Sequence, residues 1–340
     1  MADHTAISWA EATWSPVSGC TRVSPGCDHC YIERTPPFRM AHRRFHGDGP
    51  GSTTGVMLHP ERLETPLHWR KPRRIFVCSM ADLFHDEVPD EYIAHVFAVM
   101  QSCAAHTFQV LSKRAGRMHS LLNSDEFWSA VTDFGTIVTG QRPSRAQYWP
   151  NEGQRRKYLQ NVWLGCTAEN QHWADIRLPA LLDTPAAVRW VSAEPLLGPI
   201  DLRCGNADYS TCGSNGACDM SMIKQLDWIV SGGESGPGAR PAHPDWFRSI
   251  RDQCQAAGVA YHHKQNGEWV PESWWLHGKN APAAFLSIDG HVRHLVNGKP
   301  TEPPMSRGQD ITIRRVGRSH AGRKLDGRVW DECPQAVTYA

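Results

Sequence analysis

The chain has no apolar run approaching the roughly 20 residues of a membrane-spanning helix. Met1 to Trp9 also lack the basic stretch and apolar core of a secretion signal. Together these absences lead to the expectation of a cytoplasmic protein that does not engage a membrane. Neither sign of charge is in excess: 36 Lys and Arg stand against 35 Asp and Glu, for a formal net charge of +1. Bulk electrostatics therefore demand no nucleic-acid partner. The basic runs Arg73-Arg74, Arg155-Arg156-Lys157 and Arg314-Arg315 read as solvated faces. No internal repeat is present beyond an alternation of strands and helices. Cysteine, in contrast, is plentiful: the eleven are odd in number, and in a reducing compartment they indicate metal or redox work rather than a disulfide framework.

With 340 residues, 40 % of them hydrophobic, the chain can build one large α/β domain with additions. Its pattern is a short apolar strand, a polar loop and an amphipathic helix, repeated. Strands are predicted near Thr13–Val17, at Arg74–Cys78, His106–Leu111, Val162–Cys166, Val188–Ser192, Asp227–Ser231 and Val259–His263. Helices are predicted over Asp90–Ser102, Arg114–Leu122, Gln171–Leu182 and His243–Ala257. The last begins with Pro244 and closes at Gly258, as helix starts and stops favour. Continuous apolar strands separated by helices imply a parallel sheet covered by helices.

The fold expected is α/β: a partial or distorted (β/α) TIM-like barrel of six or seven βα units, with an open doubly wound sheet as the runner-up. This barrel-like domain would span 1–267, interrupted by insertions at 123–160 and 202–224. A small C-terminal extension, 268–340, would hold a hairpin at Phe285–Val296 around Asp289-Gly290 and a second β element within Ile311–Trp330.

In a parallel α/β array, functional residues occupy the loops at the C-terminal ends of strands. Polar residues fall at those positions: the loop Gly19–Tyr31, then Ser79-Met80-Ala81-Asp82, Ser112-Lys113-Arg114, Thr167-Ala168-Glu169-Asn170, Glu194-Pro195, Gly232-Gly233-Glu234 and Lys264-Gln265. The first loop holds Cys20, Cys27 and Cys30 in a C-x6-C-x2-C arrangement, with Gly19, Pro25 and Gly26 bending the chain. Three thiolates so placed can wrap one metal centre, and iron–sulfur clusters favour such soft ligands. A structural zinc site would want a fourth ligand, and His29 is too close to its neighbours to be an easy one. From spacing alone, cluster, zinc and incidental thiols all stay open.

The chain resembles the phage-associated three-cysteine-motif proteins, a largely uncharacterised family related to radical S-adenosylmethionine (SAM) enzymes. The likeness rests on Ile7-Ser8-Trp9, Thr13-Trp14-Ser15-Pro16, the cysteine triad and Leu164-Gly165-Cys166-Thr167. It continues through Ser192-Ala193-Glu194-Pro195-Leu196-Leu197-Gly198, Gly232–Gly236 and Leu325–Glu332, so it covers most of Ile7 to Pro334. The resemblance implies a [4Fe–4S] cluster on Cys20, Cys27 and Cys30, with SAM on the open iron. It further implies a 5′-deoxyadenosyl radical acting on an unknown substrate, with nucleic acid or nucleotide suggested by the phage association. An electron donor such as flavodoxin or ferredoxin would be needed. The alternative is a non-catalytic phage protein that binds nucleic acid and keeps zinc or a cluster for stability.

The first cysteine interval is longer than the commonest radical-SAM spacing, C-x3-C-x2-C. The Gly-Gly-Glu that usually follows the second strand here follows the sixth. By position, Ser79, Met80 and Asp82 are then the candidates for the SAM amino group. Glu169 or Asn170 would meet the ribose hydroxyls, with Thr167 beside them, and Gly232 and Gly233 would admit adenine or substrate close to the backbone. Lys113, Glu194 and Glu234 are the candidate catalytic groups.

Other features carry less. Cys78, Cys103 and Cys254 read as core residues, and Cys166 as core or rim. Cys204, Cys212 and Cys218 fit no strong metal spacing. His85-Asp86-Glu87 reads as a proton relay or as the acidic opening of the next helix. Most of the fourteen tryptophans lie in apolar segments, with Trp274-Trp275 the harder pair to assign.

Overall fold

The computed structural model describes residues 5, 7–140, 157–203, 221–274, 281–296, 299–300 and 310–334. In chain order the strands are β1 (Ala12–Trp14), β2 (Val17–Ser18), β3 (Met57–Leu58), β4 (Arg74–Val77), β5 (Thr107–Ser112), β6 (Val162–Thr167), β7 (Val188–Ala193), β8 (Trp228–Gly232) and β9 (Ala260–Gln265). They continue as β10 (Trp269–Pro271), β11 (Ala283–Leu286), β12 (Val292–Val296), β13 (Lys299–Pro300), β14 (Ile311–Arg315), β15 (Lys324–Leu325) and β16 (Arg328–Val329). The helices are α1 (Pro36–Met40), α2 (Asp90–Ser102), α3 (Ala115–Leu122), α4 (Asp125–Thr139), α5 (Gln171–Leu182), α6 (Pro244–Ala257) and α7 (Arg318–Ala321).

A seven-stranded sheet runs in the order β1-β4-β5-β6-β7-β8-β9. Pairing is parallel at β1–β4, β4–β5, β5–β6 and β8–β9. The order does not return from β9 to β1, so the sheet is open, as in a partial βα barrel, and not a closed one. No helix among the described residues is long and apolar enough to cross a membrane.

The chain gathers into two compact units. The first comprises residues up to Thr167 with Ile176–Trp190, and the second Ala168–Asp175 with Val191–Cys333. In the first, β6 is buried along its whole length. Gly165 sits where a Cβ would come 2.5 Å from the Trp190 ring, so the missing side chain is what admits the indole. The sequence leads to an unbroken strand near Thr13–Val17. Instead, β1 stops at Trp14, and β2 leaves to pair antiparallel with β3.

Within the insertion expected at 123–160, Asp125–Thr139 is a helix that is not among those predicted. Ser124 caps it by accepting the Phe127 N–H at 3.2 Å, and Gly140 ends it at φ 68°. Its many β-branched residues weaken the sequence signal. Burial compensates: Phe127 and Trp128 meet Phe97 of α2 edge-on, at 5.4 and 6.0 Å between ring centroids.

In the second unit, α6 begins at Pro244 and closes at Gly258, which has φ 71°. The Phe285–Val296 hairpin forms as β11 and β12. Ile311–Arg315, expected in a separate β element, lies instead between β10 and β11 in one five-stranded sheet. Only β15 and β16, around Asp326-Gly327, make a separate hairpin. Cys204, Cys212, Cys218 and Trp275 lie outside the described residues.

Candidate functional site

The cysteine loop is built by backbone pairing. Gly19 has φ 93°, and a Cβ there would lie 1.7 Å from the Gly55 carbonyl oxygen, so only glycine fits. Its N–H donates to the Met80 carbonyl at 2.9 Å, and its bridge to Ala81 continues the parallel β1–β4 pairing. The glycine-rich segment 47–54 then lines the loop. Thr54 Oγ1 accepts the Cys20 N–H at 3.0 Å, the Thr54 N–H donates to the Cys20 carbonyl at 3.0 Å, and Arg22 donates to Ser52 at 2.9 Å. Two short 3-10 turns, Pro25–Cys27 and Tyr31–Arg34, carry the chain past the other two cysteines. Cys27 is buried, while Cys20 and Cys30 are half-buried.

The thiols are mutually close enough to oppose one another's ionisation. Burial, then Asp82, pushes the Cys20 thiol up to about 12, with Cys27 and Cys30 adding to the effect and Arg114 opposing it. Burial also raises Cys30, against the pull of Lys113 and Arg22. Cationic side chains thus stand near two of the three thiols. Among the described residues, no group of three or more His, Cys, Asp or Glu side chains is drawn together as a metal site. The loop supplies the soft donors and cationic neighbours that suit an iron–sulfur cluster, but its thiols are not closed around a common point.

Beneath the loop lies a polar cluster that strand-end reasoning identified only in part. Asp82 is 5 % exposed and bonded on both oxygens. One accepts the Phe84 N–H at 3.0 Å and the Ser112 hydroxyl at 2.8 Å; the other accepts the Lys113 N–H at 2.9 Å and an Arg114 N–H at 3.2 Å. Asp82 therefore acts within the protein as an anchor, with its acceptor sites largely used. Arg114, not selected beforehand, reaches from Asp82 to the Thr21 carbonyl at 3.2 Å and Cys20 Sγ at 3.9 Å. Its place directly after a strand-end Ser-Lys was the available signal. The Met80 carbonyl is taken by Gly19, and the Ser79 carbonyl accepts the Tyr31 hydroxyl. Lys113 Nζ reaches Thr167 Oγ1 at 3.4 Å.

His85 does not open the next helix, which starts at Asp90. It is buried, its Nδ1 accepts the Glu87 N–H at 3.1 Å, and Nε2 lies 2.8 Å from Thr21 Oγ1. That arrangement places the ring proton on Nε2. Burial and Arg114 lower its pKa, so the ring stays neutral.

The remaining predicted residues belong to the second unit. Asn170 caps α5 by accepting the Trp173 N–H at 3.2 Å. Glu169 is fully buried, and its carbonyl accepts the Leu197 N–H at 2.7 Å. Glu194, before a cis Pro195, pairs with Lys264 at 3.1 Å and approaches the Ser192 hydroxyl at 3.5 Å. Gly232 makes room for that carboxylate, since a Cβ there would lie 2.5 Å from Glu194 Oε1. At Gly233 a Cβ would lie 2.2 Å from the Asn266 carbonyl oxygen. Both glycines thus accommodate protein atoms rather than leaving an open cleft.

Glu234 is buried and clamped by Arg240, with one oxygen at 2.6 Å from the guanidinium and the other accepting Nε–H at 2.9 Å and the backbone N–H at 2.8 Å. That pairing suits an internal tie. A cavity of about 220 Å³ in this unit is lined by Asn266, Trp274, His320, Lys324 and Asp326, among others, and by none of the predicted site residues.

Residues 4–334 match the model of a family described as protein of unknown function (DUF5131). No curated protein and no solved structure matches the chain.

Proposed function

We propose that this chain, which belongs to the DUF5131 family of proteins of unknown function, is a radical-SAM-like iron–sulfur protein whose Cys20, Cys27 and Cys30 hold a [4Fe–4S] cluster. The observation that carries the reading is the loop itself: three thiols on one loop, at least half-buried, at the C-terminal end of a parallel βα sheet, with Arg114 on Cys20 and Lys113 and Arg22 near Cys30. When bound, the cluster would supply the electron that cleaves SAM to a 5′-deoxyadenosyl radical, drawing on a reductant of the flavodoxin or ferredoxin class.

The chain's own residues have distinct tasks in this reading. Gly19 permits the close approach to Gly55 that shapes the loop. Asp82 fixes Arg114, and Arg114 donates an N–H toward Cys20 Sγ, a contact that favours the thiolate. His85 holds Thr21 in place as a neutral donor. Lys113 reaches Thr167 and would place a cation near an anionic group of SAM or substrate.

Anaerobic purification with iron and sulfide analysis, followed by EPR of the reduced protein with and without SAM, tests the reading. The expected result is about four iron and four sulfide per chain, an EPR signal altered by SAM, and loss of iron when any of the three cysteines becomes alanine. A colourless protein holding about one zinc, with no SAM turnover, would overturn it and favour a metal-stabilised binding protein.

A further inference from the structure

The segment directly after Cys30 departs from the even charge of the chain. Residues 34–46 contain Arg34, Arg39, Arg43, Arg44, His42 and His46 and no acid. The segment is folded. Glu33 Oε1 accepts the Phe45 N–H at 2.6 Å, and Arg22 stacks over the Phe45 ring at 4.3 Å. Arg43 turns inward to Ser18 Oγ at 3.1 Å and lies over Phe38 at 4.6 Å.

Arg34, Arg39, His42, Arg44 and His46 are left on the surface. The side chains of Arg39, His42, Arg44 and His46 form no hydrogen bond or ion pair with the described residues, and Arg34 reaches only the His29 carbonyl, at 3.3 Å. Glu33, the acid just before this stretch, accepts the Phe45 N–H, and no side-chain bond from Glu33 to these arginines is formed among the described residues. Alongside them Tyr31 is 50 % exposed, with its hydroxyl tied to the Ser79 carbonyl, and Met40 is 81 % exposed.

We infer that this face is a docking surface for a single-stranded nucleic acid. Unpaired arginines on an ordered scaffold gain affinity by releasing counterions from phosphates. A half-exposed aromatic ring, held by its hydroxyl, offers a stacking platform for an unpaired base. α1 is a five-residue helix, too short to present the broad apolar face of a membrane-surface helix. Tyr31 follows Cys30 directly, so a bound strand would run beside the cysteine loop. That such a strand is the substrate rests on the iron–sulfur reading above; that this face binds it does not.

The test is fluorescence anisotropy of a labelled single-stranded oligonucleotide of about 20 nucleotides with the full chain, from about 50 to 300 mM salt. Duplex DNA, poly-glutamate and anionic phospholipid vesicles serve as competitors. The expected result is salt-dependent binding that Arg39→Glu/Arg44→Glu weakens at least tenfold. The log–log salt slope should fall by about 1.4, or about 0.7 for each lost phosphate contact on a single strand.

Arg70→Glu/Lys71→Glu, an exposed basic pair ahead of β4, should bind as the parent does. No binding at the lowest salt, parental binding by the first variant, or an equal loss in the second would overturn the proposal. Equal competition by poly-glutamate or vesicles would overturn it too, since it would show a general anion surface. Iron content measured on the same preparations separates the two readings. A protein without iron that still binds through Arg39 and Arg44 ends the cluster assignment and leaves this one standing.

Discussion

Replacing Asp82 with alanine should be among the most damaging single changes in the first unit. Its carboxylate accepts four hydrogen bonds and neutralises Arg114, and the side chains of the pair are only 7 % and 8 % exposed. Asp82→Ala leaves a buried guanidinium with the Thr21 carbonyl, the Cys20 sulfur and an exposed Asp86 at 3.8 Å. It also strands two backbone N–H groups and the Ser112 hydroxyl. Breaking a buried ion pair in this one-sided way costs about 3–5 kcal/mol, a large part of the roughly 5–15 kcal/mol that holds a domain together.

The converse change, Arg114→Met, leaves the carboxylate three of its donors and should cost less, about 1–3 kcal/mol. The double variant Asp82→Ala/Arg114→Met removes the stranded charge, so it should be more stable than the sum of the singles by about 1–3 kcal/mol. Urea unfolding followed by circular dichroism measures all three. A loss below about 1 kcal/mol for Asp82→Ala, or additivity within about 0.5 kcal/mol, would refute the view that this pair anchors the loop.

The remaining predictions concern packing and pH. Gly165→Ala forces a methyl into the Trp190 ring, which is fully buried, and should cost about 1–3 kcal/mol by overpacking. Gly232→Ala meets the end of the Glu194 side chain, which can move, so its thermal midpoint should fall less; the reverse ranking would contradict the packing described. His262 and His263 are buried, and burial first, then Arg323 for His262 and despite the Asn266 contact for His263, pushes both down to about 4. The unfolded chain therefore takes up protons below about pH 6.5 while the native state does not. Stability should be whole above that pH and decline toward pH 4, by on the order of a few kcal/mol for the pair. Urea midpoints from pH 7 to 4.5 check this, and a flat profile would refute it; His263→Gln should make the slope shallower.

Much of the fold follows from local pattern. The strands of the parallel series and the helices at Asp90, Gln171 and Pro244 are legible because apolar periodicity and end signals lie within each segment. α4 was not legible, because its helicity depends on burying Phe127 and Trp128 against Phe97, a partner some thirty residues away. The place of β14 was equally hidden. Ile311–Arg315 is recognisable as a strand, but its insertion between β10 and β11 is a choice among partners that no local pattern specifies.

For the candidate site, the sequence by itself determined the donor set: three cysteines on a bent loop after the first strand, with polar residues at the strand ends that follow. The tertiary structure decided what those residues touch. It made Asp82 and Glu234 internal anchors through Arg114 and Arg240, made Asn170 a helix cap, and filled the space beside Gly232 and Gly233 with protein atoms. It also left Arg39 and Arg44 facing solvent. The division has a physical cause. A residue's chemistry and local conformation belong to its own segment, whereas desolvation and charge pairing depend on which distant groups the fold brings within a few ångströms.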